Sequence, residues 1–293
     1  MPVPAAARQL IRYLPVLPAV LLLLVFLAGP VFWAFNASFT NAGLTGRSAR
    51  DPSWVGLDNY QRLLADPVFP LSLLLTVMFV AGSAVLGQNL LGLVLALLMR
   101  RARPAVSAVV GTTVVAAWVL PEIVAAFAAY AYFSGDGTLN QLLRVLGLGG
   151  QDWLYAFPMM AIMLANVWRG TAFSMLVYRA ALNDVPAEVT EAAQMDGAHG
   201  WQRLAFITLP MIRGSITTNL MLVTLQTLAV FTLVWVMTAG GPANASTTLP
   251  VLAYLEAFKF GDIGYGTAVA SVLILIGAAF GLVYIRLLKD SRS

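Results

Sequence analysis

LSLLLTVMFVAGSAVLGQNLLGLVLALLM, from Leu71 to Met99, contains no charged side chain. A helix needs about 20 apolar residues to cross a hydrocarbon core of roughly 30 Å, so this run can span a bilayer with room to tilt. A strand reading fails, because an open strand edge would leave backbone N–H and C=O groups unpaired in lipid. Five further runs have the same character: Tyr13 to Phe35, Ala105 to Phe133 with Glu122 inside it, Phe157 to Leu182 with Arg169 and Arg179, Gly214 to Ala239, and Gly264 to Ile285. The expected fold is all-α, a polytopic membrane protein with six transmembrane helices. A cleaved signal peptide is the other reading of the first run. Its core exceeds the usual h-region of about 7–15 residues and no small-x-small site follows, so it reads as retained.

Composition agrees. The 293 residues are 60% apolar and 10% charged, with a mean hydropathy of +0.82, against about 45–50% and 25% in a soluble domain. Seventeen basic and 13 acidic residues leave a net charge of +4, spread over separate loops, which makes no nucleic-acid-binding face. Cysteine is absent, excluding disulfides, thiolate zinc sites, iron–sulfur clusters and a Cys nucleophile. The single histidine, His199, excludes an H-E-x-x-H site and any Ser-His-Asp triad that does not use it. Both lysines, Lys259 and Lys289, follow Phe258 and Leu288, so there is no G-x-x-x-x-G-K phosphate loop. The chain is therefore expected to bind no cofactor and to be no enzyme; any ATP is hydrolysed elsewhere.

Basic residues set the orientation. Arg8, Arg12, Arg100, Arg101, Arg103, Arg179, Arg203, Arg213, Arg286, Lys289 and Arg292 fall on the side of the N-terminus. Arg47, Arg50, Arg62, Arg144 and Lys259 fall opposite, and the excess places both termini in the cytoplasm. Trp33, Trp54, Trp153 and Tyr155 suit an interfacial belt. Residues 1–12 are expected as a cytoplasmic N-terminus and 13–288 as one six-helix transmembrane domain with a loop at 183–213. Residues 289–293 form a cytoplasmic tail on this reading.

That loop carries helix punctuation. Asn183 or Asp184 can cap, Pro186 suits the first turn, and Gly197 can end the helix in a left-handed conformation, which predicts a helix over Val185 to Asp196. Glu188, Glu191 and Asp196 make it acidic, while Ala192 and Ala193 keep it thin. The alternative, an amphipathic helix resting on headgroups, favours Lys and Arg on its polar face; there is none before Arg203. A protein-docking helix is the better reading.

Glu191-Ala192-Ala193, then Gly197, then Ile207, Leu209 and Pro210, in the string EAAQMDG to WQRLAFITLP, resemble the EAA pattern of the permease subunits of binding-protein-dependent ABC importers. The string is similar to the carbohydrate-uptake branch. Gly137, Asn140, Gly147, Trp153 and Leu154 look like one outer loop of sugar permeases. Thr238, Gly240, Gly241, Pro242, Thr247 and Ala257-Phe258 look like another, in the Gly-Gly-Pro form of the first of two unlike permeases. The resemblance implies a permease of the bacterial inner membrane that moves a carbohydrate, a di- or oligosaccharide or related sugar, by alternating access. It implies as partners a second, unlike permease in a heterodimer, a cytoplasmic ABC ATPase dimer that binds ATP and Mg, an external sugar-binding protein or lipoprotein, and membrane lipids. On the same basis Glu191, Ala192, Ala193, Asp196 and Gly197 couple to the ATPase. Asn166 and Gly170, one turn apart, match positions that face the sugar, with Phe173 and Thr227 beside the path. The fifth span departs from the maltose type, with Val223, Thr227 and Val230 where polar residues occur.

For each polar residue of the path the alternative is interhelical packing. Glu122 and Arg169, at similar depth in their spans, are expected to form an ion pair, because unpaired charges there would be costly. A competing function is an ion-coupled secondary carrier in which Glu122 titrates.

Overall fold

A computed structural model describes residues 14–290. The expected N-terminal segment 1–12, with Arg8 and Arg12, lies outside the described residues, as do Arg292 and its neighbours at 291–293. Contacts divide the chain into two compact units, Met1–Asp66 with Ala253–Val272, and Pro67–Leu252 with Leu273–Ser293.

In the first unit, helix α1 (Leu17–Ala37) exposes apolar side chains all round, including Leu22, Val25, Phe26 and Phe32. A helix apolar on every side and unburied by its own chain is built for lipid. It widens into a π turn over Leu24–Ala28, just before Pro30, which has no N–H to donate. Beyond it the chain is knitted to helix α2 (Asp58–Ala65) and to the start of the last helix. Buried Asn59 donates from Nδ2 to the carbonyls of Ser38 (2.9 Å) and Thr40 (2.8 Å), and the Gly264 N–H donates to Ala42 O. A Cβ at Gly264 would run into the carbonyl of Thr40, so this close approach requires glycine. Arg62 joins Asp262, lies 4.0 Å from Glu256 and stacks over the ring of Tyr265, whose hydroxyl donates to Asp66 at 2.7 Å.

The second unit contains α3 (Val68–Arg101), α4 (Pro104–Val119), α5 (Glu122–Phe133), α6 (Thr138–Val145), α7 (Pro158–Asn183), α8 (Ala187–Met195), α9 (Gly200–Met211), α10 (Arg213–Leu228) and α11 (Thr232–Thr238). The last helix, α12 (Ile263–Asp290), begins in the first unit and continues through the second. The fold is polytopic and helical: α1, α3, α7 and α12 are each long and apolar enough to cross a membrane, and bent pairs bring the number to six. Small residues let α3 and α7 approach closely. A Cβ at Gly92 would sit 2.5 Å from that of Ser174 and 2.9 Å from the Met175 nitrogen.

Two expected spans are not continuous. The run from Ala105 to Phe133 breaks at Leu120-Pro121, both extended, and Pro104–Val119 is bent by 106° against the stretch Glu122–Val145 that follows. Proline drives its predecessor out of the helical region and cannot donate. The run from Gly214 to Ala239 stops at Leu228 and resumes at Thr232, although no Pro or Gly lies between Ser215 and Thr238. The loop helix also starts later than expected. Pro186 is its N-cap, with no side-chain cap, while Asn183 ends α7.

The acid cluster of the first unit generates a pH prediction. Burial pushes the Glu256 carboxyl above the usual carboxylate range, with Asp66 and Asp262 raising it further and Arg62 opposing. A carboxyl raised in the folded state contributes stability at acid pH that is lost as pH rises through its folded value. Hydrogen exchange across residues 38–66 should therefore show protection falling as pH rises through the weakly acidic range. Glu256→Gln should flatten that dependence and increase protection at neutral pH, since it removes a desolvated charge.

Candidate substrate path and docking helix

Polar side chains inside the apolar helices of the second unit collect in two layers, each joining α3, α7 and α10. In the first, Asn166 on α7 is buried and its Nδ2 donates to Ser83 Oγ on α3 at 2.7 Å and approaches Thr227 Oγ1 on α10 at 3.5 Å. Gln88 on α3 donates from Nε2 to the Asn166 carbonyl at 3.1 Å. Ser83 and Gln88 belong to a wide π turn in α3, Val80–Gln88, the kind of turn that carries extra residues into a contact. In the second layer, Asn219 on α10 donates from Nδ2 to Asn89 Oδ1 (2.7 Å), Ser174 Oγ (2.9 Å) and Tyr178 Oη (3.2 Å), and the Tyr178 hydroxyl donates to Asn89.

The structure thus brings Asn166 and Thr227 together, with Gly170 one turn on, where a Cβ would overlap the Gln88 carboxamide. Phe173 packs near Trp118, ring centroids 6.0 Å apart, and against the buried cluster of Val80, Ala84, Val223 and Leu228. Val223, on the departing face of the fifth span, is therefore core. A groove lies elsewhere. It has a volume of about 720 Å³ and runs between α4 and α7, from Ser107 past Gly111 and Val115 to Pro121 and across to Met175 and Arg179.

Glu122 and Arg169 are not paired. Glu122 Oε1 accepts the N–H of Leu233, at the start of α11, at 3.4 Å, and Arg169 Nε is buried with no hydrogen-bond partner. The depth count behind the expected pair assumed a straight third span. The bend at Pro121 instead packs α5 against α11, where the carboxylate meets the exposed amide left by the break in the fifth span.

In the loop after α7, α8 runs for nine residues, about 14 Å. It ends in a Schellman turn: the Gly197 N–H donates to Gln194 O (3.1 Å) and the Ala198 N–H to Ala193 O (3.0 Å), with Gly197 at φ +82°. Glu191, Ala192, Asp196 and Gly197 are exposed, whereas Ala193 faces the chain. Val185, just before α8, is buried with Ala96, Tyr178, Ala181, Leu182 and Ile212, which anchors the helix to the ends of α3 and α7. His199 is exposed, its N–H capped by Gln202. The residues expected in outer loops bond within their own loops. Asn140 donates to the carbonyls of Gly135 and Gln151 and accepts from Trp153 Nε1, and Thr247 donates to Gly240 O at 2.9 Å.

Residues 88–291 match the family described as binding-protein-dependent transport system inner membrane component. The trehalose/maltose transport system permease protein MalF of Thermococcus litoralis is 33% identical over 277 residues, 94% of this chain and 92% of that protein. The sulfoquinovosyl glycerol transport system permease protein SmoG of Agrobacterium fabrum is 31% identical, covering 96% and 91%. A bacterial alginate ABC transporter, solved with an alginate pentasaccharide-bound periplasmic protein, has a chain of the same fold, with a TM-score of 0.81 at 21% identity, covering 97% of this chain and 96% of that one.

Gly170→Ala should lower thermal stability by about 1–3 kcal/mol, because the added methyl displaces Gln88. Gln88→Ala in the same chain should recover part of that loss, measured by unfolding in detergent. Glu122→Ala should cost about 1–3 kcal/mol by leaving the Leu233 amide unsatisfied. Glu122→Gln keeps an acceptor and should assemble and transport normally, whereas an ion-coupled carrier would lose uptake in that variant.

Proposed function

Because the chain belongs to the family of binding-protein-dependent transport system inner membrane components, we propose that it is the first of two unlike permeases of an ATP-driven carbohydrate importer. It contributes half of a heterodimeric pore in the bacterial inner membrane, with both termini in the cytoplasm. Membrane components of this type are not enzymes; ATP and Mg belong to a partner ATPase dimer, and an external binding protein delivers the sugar. The observation that carries this reading is α8, an acidic helix that leaves Glu191, Ala192, Asp196 and Gly197 outward while Ala193 and Val185 fix it to the chain. The chain's eleven basic residues in the loops of one side against five in those of the other support the cytoplasmic position of that helix.

Relatives named for trehalose/maltose and sulfoquinovosyl glycerol transport support a di- or oligosaccharide or a related glycoside as the solute. Asn166, Gly170, Phe173 and Thr227 would face it in a conformation that opens the first polar layer. Their present contacts are with one another and with α3, so transport requires the amide of Asn166 to exchange Ser83 for a sugar hydroxyl, a trade between hydrogen bonds of similar strength.

Purification from native membranes should bring down an ATPase and a second permease. A bulky β-branched residue at φ +82° is strained, and a left-handed L-residue costs about 1–2 kcal/mol, or about five- to thirtyfold in the population of docking-competent loop. Gly197→Val should therefore reduce uptake in vesicles by that factor, and Glu191→Ala should release uptake from ATP hydrolysis while the complex still assembles. Undiminished, ATP-coupled uptake in both variants would refute the docking role.

A further inference from the structure

Where α3 ends beside the start of α9, a cavity of about 530 Å³ opens between them. Its polar wall carries Arg100, Arg101 and Arg203, its apolar wall carries Leu97 and Leu98, and Trp201 stands at its mouth, 72% exposed. Among the described residues neither Arg100 nor Arg101 pairs with a carboxylate. Arg203 uses one N–H to donate to Gln194 Oε1 of α8 at 2.7 Å, and a guanidinium has five. Three cations lining one hollow repel one another, and an anion between them relieves that repulsion.

The lining says which kind. Arg100 and Arg101 end a membrane-length apolar helix, which places their guanidinium groups at the headgroup level of a bilayer. Leu98, 60% exposed, continues the cavity wall onto the face that meets hydrocarbon, and an exposed Trp at this level suits a membrane interface. A free phosphate would use the arginines and leave the leucine wall idle, and an acidic peptide would leave the exposed apolar wall uncovered. We infer that this cavity binds the headgroup of an anionic phospholipid, with its phosphate between Arg100, Arg101 and Arg203 and its acyl chain along Leu97 and Leu98. Since Arg203 also holds Gln194, the lipid steadies α8, the helix assigned to docking. The inference rests on α3 crossing the membrane and is independent of which solute is carried.

The test counts lipid on the permease of the purified complex by native mass spectrometry, in detergent containing phosphatidylglycerol and phosphatidylcholine. The wild type should retain phosphatidylglycerol in preference. Each interfacial charge is worth about 1 kcal/mol, a factor of about five, so Arg100→Gln with Arg101→Gln should weaken retention about thirtyfold. Arg103→Gln, outside the cavity, should leave it unchanged, and replacing both Arg100 and Arg101 by Lys should preserve it. Equal retention in the double Gln variant would overturn the assignment. So would displacement of the lipid by inorganic phosphate alone, which would indicate a free-anion site. Loss of ATPase subunits from the double Gln variant with unchanged lipid would assign the cavity to an acidic protein segment instead. Because the count is made on the permease itself, it remains readable even if no ATPase copurifies and no sugar is taken up.

Discussion

A polar side chain inside a membrane helix has no water to bond, so its partners must come from neighbouring helices. In the second unit this constraint fixes the arrangement of α3, α7 and α10. Asn166 and Ser174 on α7 are eight residues apart, as are Thr227 and Asn219 on α10, a separation of about 12 Å at helical rise. Bonds at both levels set the rotation and the axial register of three helices whose apolar surfaces alone would pack in several ways. Individually such bonds inside membranes are worth on average only about 0.6 kcal/mol; their value lies in specifying one arrangement. The glycines follow from this. Gly92 and Gly170 stand where amide and hydroxyl groups cross between α3 and α7, and larger side chains would hold those groups out of bonding distance.

The same accounting explains the broken spans. A helix that stops inside the apolar region exposes amides that must be met. The break after Leu228 is met in part by Glu122, brought there because Pro121 turns its helix through a sharp angle. One irregularity thus supplies the cap for the other. A carboxylate at a helix N-terminus is also favoured by the helix dipole, which gives this half-buried acid a structural use without a cationic partner.

Much of this was legible in the sequence. Uncharged runs marked α1, α3, α7 and α12, the four helices long enough to cross a membrane, whereas one bent pair runs from Gly200 to Leu228 and not from Gly214 to Ala239; the position of Gly197 announced the end of α8 because few other residues tolerate that backbone. The loop's acidic outer face was equally plain. What escaped was tertiary. Pro121 was visible, but it lay inside a run whose hydropathy argued for continuity, and nothing between Ser215 and Thr238 marks a break at all. The pairing of Glu122 with Arg169 followed from counting depth along straight helices, and the count lost its meaning at the bend. Asn166 and Thr227 were read from family positions as facing a path. Their partners Ser83 and Gln88 were missed, because a π turn that rotates them inward leaves no periodicity in an all-apolar run.

The second polar layer lies next to the base of the loop that carries α8. Tyr178 belongs to both: its hydroxyl bonds Asn89 and Asn219, and its ring is buried with Val185 and Ile212, the residues that precede α8 and follow α9. A load on α8 therefore reaches a buried aromatic within a few residues, and that aromatic cannot turn without breaking bonds to α3 and α10. Packed interiors deform poorly and switch between discrete arrangements. The first layer, with its longer 3.5 Å contact between Asn166 and Thr227, is the weaker of the two. If the three helices part when α8 is pulled, the asymmetry predicts that they part at Asn166 first while the second layer stays closed and carries the motion. On the proposed function, a substrate-facing role for Asn166 and a packing role would be two states of one side chain, separated by the bond to Ser83.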